Sequence, residues 1–446
     1  MARSTRTNSA QQHASLAHRI RAALVWLVAT LCVGLACGGG AVLLSLACDL
    51  AEKADRGFWL LPYTLPGCAL ITCLVYRVLG VSNDVTTAAL FSRQRDGGPV
   101  VAELAPAILL GTSLSLLGGG SVGKEAGALQ LGAAIGAQIE RLGKRRASWA
   151  HGLAGARDTF MLAGMAAAFS ALLFAPVAAT LLVLEVAKPQ GRKLMRWRTL
   201  CIPGAAAVGY ALADLFDVGR LWGEWAQPSA EALAAVTPAS LALLVGAALL
   251  VGILFVWLLK ATRTATRKYI PAIWLRVLVG SALCVLLALL VGRAYTGTGD
   301  TQIVQALGGS GVSPDAFACK ALLTICCLGF ALRGGEVMPS LAIGACLGCT
   351  VASLTGADTA LFAALGMMAV FATCSHSPLA SFALGIEAFG LFAAPLLALA
   401  ALVPGLLAFA IDAARLCREP ADIRSYAANT TALAERRGKF SLGLFN

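Results

Sequence analysis

Two stretches decide how this chain folds: "GKEAGALQLGAAIG" at residues 123–136 and "GEVMPSLAIGACLG" at 335–348. Laid over each other at a constant offset, Gly123, Leu129, Gly132 and Gly136 fall on Gly335, Leu341, Gly344 and Gly348. A second pair of stretches extends the match. In "GMAAAFSALLFAPVAATLLVLE" (164–185) and "GMMAVFATCSHSPLASFALGIE" (366–387), Gly164, Met165, Phe169, Pro176 and Glu185 fall on Gly366, Met367, Phe371, Pro378 and Glu387. Two motifs recurring in the same order mark an internal duplication. In a membrane protein a duplication points to a carrier whose site lies between the repeats, near the bilayer midplane, built by the ends of broken helices.

The composition places the chain in a membrane. Of its 446 residues 58% are hydrophobic and 13% charged, and its mean hydropathy of +0.78 is far above that of a soluble domain. The charge-free runs 22–48, 58–76, 104–123, 159–184, 232–259, 359–386 and 388–411 each match or exceed the ~20 residues that cross a bilayer as a helix. Residues 199–213, 277–292 and 321–332 are shorter, and Gly or Pro interrupts many of the others. Tilted and broken helices are therefore expected beside simple rods, since irregular backbone at that depth needs protein or a water path to satisfy its polar groups. The first 18 residues are polar and no small-residue cleavage site closes a short apolar core, so the run at 22 is expected to remain as a helix.

Charge distribution sets the topology. The formal charge is +12, and twenty-five of the 35 Lys and Arg fall in five clusters, before residue 22, at 141–157, 188–198 and 260–276, and from 415 onward. These flank spans and form no single patch, which disfavours a nucleic-acid surface. The positive-inside rule puts the clusters and both termini in the cytoplasm. The segment 211–236, with Asp214, Asp217, Glu224 and Glu231 against Arg220, reads as an outside loop. Most of the fourteen cysteines, among them Cys32, Cys37, Cys326, Cys327, Cys346 and Cys349, sit in apolar runs and read as small buried hydrophobes. Cys346 and Cys349 form a C-x-x-C in a predicted membrane helix without a βαβ context, and the four histidines are scattered, so no metal or cofactor is expected.

The glycines of the paired motifs suit an anion site. A dehydrated anion needs donors, and the first turn of a helix supplies free N–H groups at the positive end of its dipole. Glycine before such a helix lets the backbone approach the ion and adopt positive φ. Gly123-Lys124-Glu125 and Gly335-Glu336-Val337 both have this form. An ionisable side chain in such a span costs ~3 kcal/mol on insertion scales, which makes Glu125 a functional residue by default. A structural pairing of Glu125 with Lys124 is disfavoured because adjacent helical residues do not face each other.

These residues resemble the CLC family of anion channels and proton-coupled antiporters. That family's first pore motif reads Gly-(Arg/Lys)-Glu-Gly-x, and its partner in the second half reads Gly-x-x-x-Pro before a Gly-spaced helix. "LGGGSVGKEAGALQLG", "GGEVMP" (334–339) and "HSPLASFALGIEAFG" (376–390) resemble most of all its bacterial fluoride/proton antiporter branch. The resemblance runs from about residue 20 to about 430. It implies a homodimer with one pore per subunit, no enzymatic activity, and exchange of a halide, fluoride first, for protons. A chloride/proton antiporter or passive chloride channel of the same fold is the alternative, and a non-transporting membrane scaffold is a third reading that the duplicated motifs disfavour.

The resemblance also assigns roles. Glu125 is the gate that couples protons to the anion, and Lys124 raises the local positive potential. Gly123, Gly335, Glu336, Val337 and Met338 surround the anion, with Ser82 or Asn83, in "GVSNDVTTAAL" (80–90), facing the central site where most CLC proteins carry a Gly-Ser-Gly-Ile-Pro motif. Glu336 either caps its own helix while its N–H serves the ion or takes part through its carboxylate. Tyr426, in "IRSYAANTT", either closes the inner end of the pore or anchors the interface. Three departures bear on selectivity and coupling. Val186 stands at the place of the inner proton-transfer glutamate of common CLC antiporters, Met338 where the fluoride branch has threonine, and Ala126-Gly127 where it has Gly-Thr. Glu185 and Glu387, closing apolar runs in both halves, are expected to form structural hydrogen bonds, and Asp84 to cap the helix beginning near Val85.

The expected architecture is all-α and multi-pass, with two inverted-topology repeats, 1–220 and 232–414, and a short cytoplasmic tail at 415–446. About 30 residues after the last span are too few for an appended regulatory domain, which needs ~50 or more.

Overall fold

A computed structural model describes residues 2–58, 60–82, 85–96, 98–146, 156–187, 197–218 and 228–418. They form seventeen α-helices and four short 3-10 turns, with no strands among the described residues. The first repeat supplies α1 (Ala2–Gly57), α2 (Leu65–Val78), α3 (Thr87–Asp96), α4 (Leu104–Leu117), α5 (Glu125–Arg146), α6 (Arg157–Leu173), α7 (Pro176–Ala187) and α8 (Cys201–Leu215). There follow α9 (Ala230–Ala234), α10 (Pro238–Tyr269), α11 (Ile273–Val291), α12 (Asp300–Leu307), α13 (Ala316–Gly329), α14 (Val337–Thr355), α15 (Thr359–Ser375), α16 (Pro378–Phe389) and α17 (Ala394–Arg418). By length and composition five of these segments can cross a membrane: Ile20–Gly57, Pro238–Tyr269, Ile273–Val291, Val337–Thr355 and Ala394–Ile411. The chain is an all-α, multi-pass membrane protein.

Helix is forced on these segments because hydrocarbon offers the backbone no hydrogen-bond partner. Which face each helix buries follows helical spacing. On α1, Trp26, Val33, Cys37, Ala41, Leu44 and Cys48 form a buried stripe at helical spacing, while Leu24, Leu27, Leu31, Leu35, Leu43, Leu46 and Leu50 remain exposed to the surroundings. Cys32 is exposed as well, unlike Cys37, Cys326, Cys327, Cys346 and Cys349, which are buried as the sequence suggests. Helices α6 and α15 are buried on all sides from Phe160 to Leu173 and from Leu361 to Thr373.

The duplication in sequence is a duplication in structure. A Cβ on Gly132 would lie 2.2 Å from the carbonyl oxygen of Gly164, and one on Gly136 2.2 Å from that of Phe160. In the second half Gly344 stands 2.4 Å from the oxygen of Gly366 and Gly348 2.0 Å from that of Phe362 by the same measure. Backbones α5 and α6, and α14 and α15, therefore touch directly. In lipid that close contact is what holds helices together, since dispersion between packed backbones replaces the hydrophobic effect.

Two of the expected single spans are in fact pairs of helices. The run 159–184 breaks at Phe174 (φ 51°) and the run 359–386 at His376 (φ 54°), each two residues before a proline that opens the next helix. Hydropathy stays continuous through both breaks, so composition alone could not reveal them, whereas proline at the first helical position could. The short helices that result, α7 and α16, cap each other. The Glu185 carboxylate accepts from the N–H groups of Leu379 (3.1 Å) and Ala380 (2.9 Å), and the Glu387 carboxylate from those of Val177 (2.9 Å) and Ala178 (2.8 Å). Each acid near one C-terminus thus lies on the other's N-terminus, which makes the pair antiparallel and the repeats inverted. The structural role expected of both glutamates is met in this way.

Candidate functional site

The paired motifs meet at the centre of the molecule. Gly123 donates to the carbonyl of Gly335 (2.8 Å) and Gly335 to that of Gly123 (2.7 Å), forming an isolated two-residue antiparallel bridge. From this bridge α5 and α14 diverge, and their first turns lie side by side. The motif pattern predicts that these glycines present free N–H groups at positive φ. Both N–H groups are instead spent on the bridge, and the positive φ angles fall on Gly119 and Gly334. The two motif glycines are needed for space: a Cβ on Gly335 would sit 2.4 Å from Ala126 Cβ, and one on Gly123 would sit 2.6 Å from Glu125 Oε2 and 3.1 Å from Met338 Cβ.

Glu125 is fully buried at this junction. Its carboxylate folds back on Gly123 beside Met338 and Pro339, and the N–H groups of Glu125 and Met338 face it without closing hydrogen bonds of normal geometry. Lys124 turns the other way. Its ammonium donates to Asp49 Oδ1 (2.6 Å) and Ser45 Oγ (3.0 Å) on α1, so the direct ion pair of Lys124 is with Asp49 and not with Glu125. The acid itself bonds no cation and lies at the first turns of α5 and α14, with the charges of Lys124 and Asp300 nearby.

Gly123, Lys124, Glu125, Gly335, Val337 and Met338 are thus brought together. Glu336 sits at the N-cap of α14 with no side-chain cap bond, so the capping alternative does not hold. Its carboxylate instead accepts from Arg263 on α10 at 3.2 Å. Ser82 is exposed. Asn83, Asp84, Tyr426 and the tail from 419 lie outside the described residues.

A cavity of about 180 Å³ opens beside the bridge, walled by Ala126, Gly127 and Gly335 on one side and by arginines of α10, α11 and the α13–α14 loop on the other. In the sequence Arg263, Arg267 and Arg276 stand out only as topological markers, and nothing singles out Arg333 although it stands two positions before Gly335. The structure also shows a second buried polar group that sequence reasoning missed. Lys320, wholly buried on α13, donates to the carbonyls of Gly297 (2.7 Å) and Tyr295 (3.2 Å), and the buried Glu52 accepts from the N–H of Thr298. A signal for it exists, since Lys320 stands close before the apolar run 321–332.

Comparison with known proteins accords with this geometry. The family model described as voltage gated chloride channel, the CLC model, matches residues 67–408. The chain belongs to the CLC family. A chloride/fluoride channel protein of Pseudomonas syringae pv. tomato is 29% identical over 390 residues, covering 84% of this chain and 82% of that protein. The H(+)/Cl(-) exchange transporter ClcA of Yersinia pestis bv. Antiqua is 31% identical over 297 residues, 61% of this chain and 58% of that one. Among solved structures, a CLC-type fluoride/proton antiporter superposes with a TM-score of 0.75 at 24% identity, over 86% of this chain and 95% of that one. A slow cyanobacterial Cl-/H+ antiporter follows at 0.68 and 19%, over 88% and 95%. The resemblance read from the motifs is therefore borne out, and the chain is an anion-transporting protein of the CLC type.

Proposed function

We propose that this CLC protein exchanges a halide, fluoride first, for protons, with Glu125 as the coupling gate. The observation that carries this reading is the burial of the Glu125 carboxylate where the first turns of α5 and α14 meet, while the adjacent Lys124 forms its ion pair with Asp49. In the ionised state the carboxylate is itself the anion held by the helix ends. Protonation removes its charge and releases those N–H groups to a mobile halide; loss of the proton draws the side chain back and expels the ion. One group therefore cannot hold its place and let the anion hold it at the same time, which is the basis of exchange.

The fluoride preference draws on the chloride/fluoride channel protein and the fluoride/proton antiporter among the relatives. Chloride is the second reading, and one observation favours it. Met338, 2% exposed, brings a thioether to the junction, and that soft, weakly polar group suits a large halide better than the strongly hydrated fluoride. The proposed setting is an inner membrane with the basic clusters and both termini in the cytoplasm, the repeats 1–220 and 232–414 forming one pore, and two copies forming a dimer. Purified protein in liposomes loaded with fluoride or chloride tests the whole reading when anion efflux and internal pH are followed together. Faster fluoride efflux coupled to proton uptake is expected. Chloride efflux as fast or faster moves the assignment to the second reading, and efflux without proton movement removes the exchange.

A further inference from the structure

The cavity beside the bridge is built for something larger than a halide. Its volume of about 180 Å³ is several times the roughly 30 Å³ share of one water molecule, and four guanidinium groups, Arg263, Arg267, Arg276 and Arg333, line it together with the carboxylate of Glu336, the one acid in the wall among the described residues. They come from three places in the chain: two from α10, one from α11 and one from the loop before α14. Arg276 is 5% exposed. Arg333 is held with its guanidinium carbon 4.1 Å from the ring centre of Tyr76, another wall residue. A guanidinium presents a planar fork of N–H donors, a geometry that matches pairs of oxygens on one anion. A spherical halide has no such pairs. A tetrahedral oxyanion has enough oxygens to meet several forks at once, and the carboxylate of Glu336, 3.2 Å from Arg263, already occupies one of them as an oxyanion of the chain's own.

Position gives the site a consequence. Ala126 and Gly335 form its inner wall, so a molecule seated there lies directly against the junction that holds Glu125. We propose that this cavity binds a phosphate-class oxyanion, which takes the place of the Glu336 carboxylate on Arg263 and blocks the anion path from the face bearing the basic ends of α10 and α11. The blocking half rests on the transport reading above; the binding half does not.

The test uses the full-length protein. Inorganic phosphate is titrated calorimetrically at constant ionic strength into the wild type, into Arg263→Lys and into the double variant Arg263→Gln/Arg333→Gln. Binding to the wild type, weakened in the lysine variant, which keeps the charge but loses the fork, and weakened further, about tenfold or more, in the double variant, is the expected result. Absence of binding to the wild type, or equal affinity in a double variant with the wild-type size-exclusion profile, overturns the site. In liposomes, phosphate supplied to the basic face is expected to slow halide efflux through the wild type and leave the double variant unaffected. Binding with undiminished efflux overturns the block. The same flux assay in zwitterionic liposomes and in liposomes containing anionic phospholipid identifies the source: equal slowing by phosphate in both supports the free ion, and efflux already slow in anionic liposomes and indifferent to added phosphate supports a lipid headgroup. A wild type that binds phosphate through these arginines yet moves no halide upholds the site and removes the transport reading.

Discussion

Replacing Gly335 by alanine adds one methyl group at the point where the two repeats touch. That carbon would lie 2.4 Å from Ala126 Cβ and 3.0 Å from the Ala126 nitrogen, both on the first turn of α5. Carbon atoms settle at about 3.5–4.0 Å, so the two helix ends must part by about 1 Å. The bridge between Gly123 and Gly335, now 2.8 and 2.7 Å, would then stretch beyond hydrogen-bonding length. Two such bonds contribute about 2 kcal/mol together. The larger effect falls on transport, because Ala126 moves with Glu125, and a displacement of about 1 Å at a reacting centre costs of order 100-fold in rate. Gly335→Ala is therefore expected to insert and purify as a folded protein of lowered thermal stability, with halide efflux reduced by about two orders of magnitude. Efflux and thermal denaturation at equal incorporation measure both. Wild-type values for both would mean that the motifs do not meet at these glycines, and the account of the site would fail with them.

Other substitutions probe separate parts of the argument. Glu125→Gln keeps the size of the protonated acid but cannot ionise, so proton uptake driven by an outward fluoride gradient should vanish; uptake at the wild-type ratio to anion would show that another group couples the two. Glu185→Gln and Glu387→Gln should each destabilise the protein by about 1.5–3 kcal/mol, since each removes a carboxylate from two N–H groups. Matching losses in chemical denaturation are expected because the sites are repeat-related, and a neutral result at either position would contradict the mutual capping of α7 and α16. Gly348→Leu, whose Cβ would lie 2.0 Å from the Phe362 carbonyl, should abolish recovery of folded protein in a fluorescence size-exclusion assay. A normal monodisperse peak would refute the backbone contact of α14 with α15.

The glycine and proline pattern made much of the fold legible. Gly132, Gly136, Gly344 and Gly348 revealed the repeat because a backbone contact tolerates no other residue, and Pro176 and Pro378 marked helix starts. Other features depend on distances between segments far apart in the chain. Nothing in "GKEA" shows that Lys124 turns to Asp49, because the charge that claims it stands 75 residues earlier on another helix. Arg263 looked like a topological marker, since a basic residue near a helix end satisfies the positive-inside rule whether or not a carboxylate such as Glu336 waits beside it. The motif glycines suggested a role through the donors they carry. Their role proved to be the absence of a side chain, and only the facing residues Ala126 and Glu125 make that visible.

The exchange of carboxylates between α7 and α16 bears on how the protein is made in the cell. When the first half has left the ribosome, the N–H groups of Val177 and Ala178 lack their acceptor and Glu185 lacks its donors. Both deficits end in a single docking event once α16 has been synthesised and inserted. Until then the first half is an incomplete object with an exposed acid, and its partner is equally incomplete. Severed at the 219–227 segment and produced as two polypeptides in one membrane, the halves would have reason to find each other.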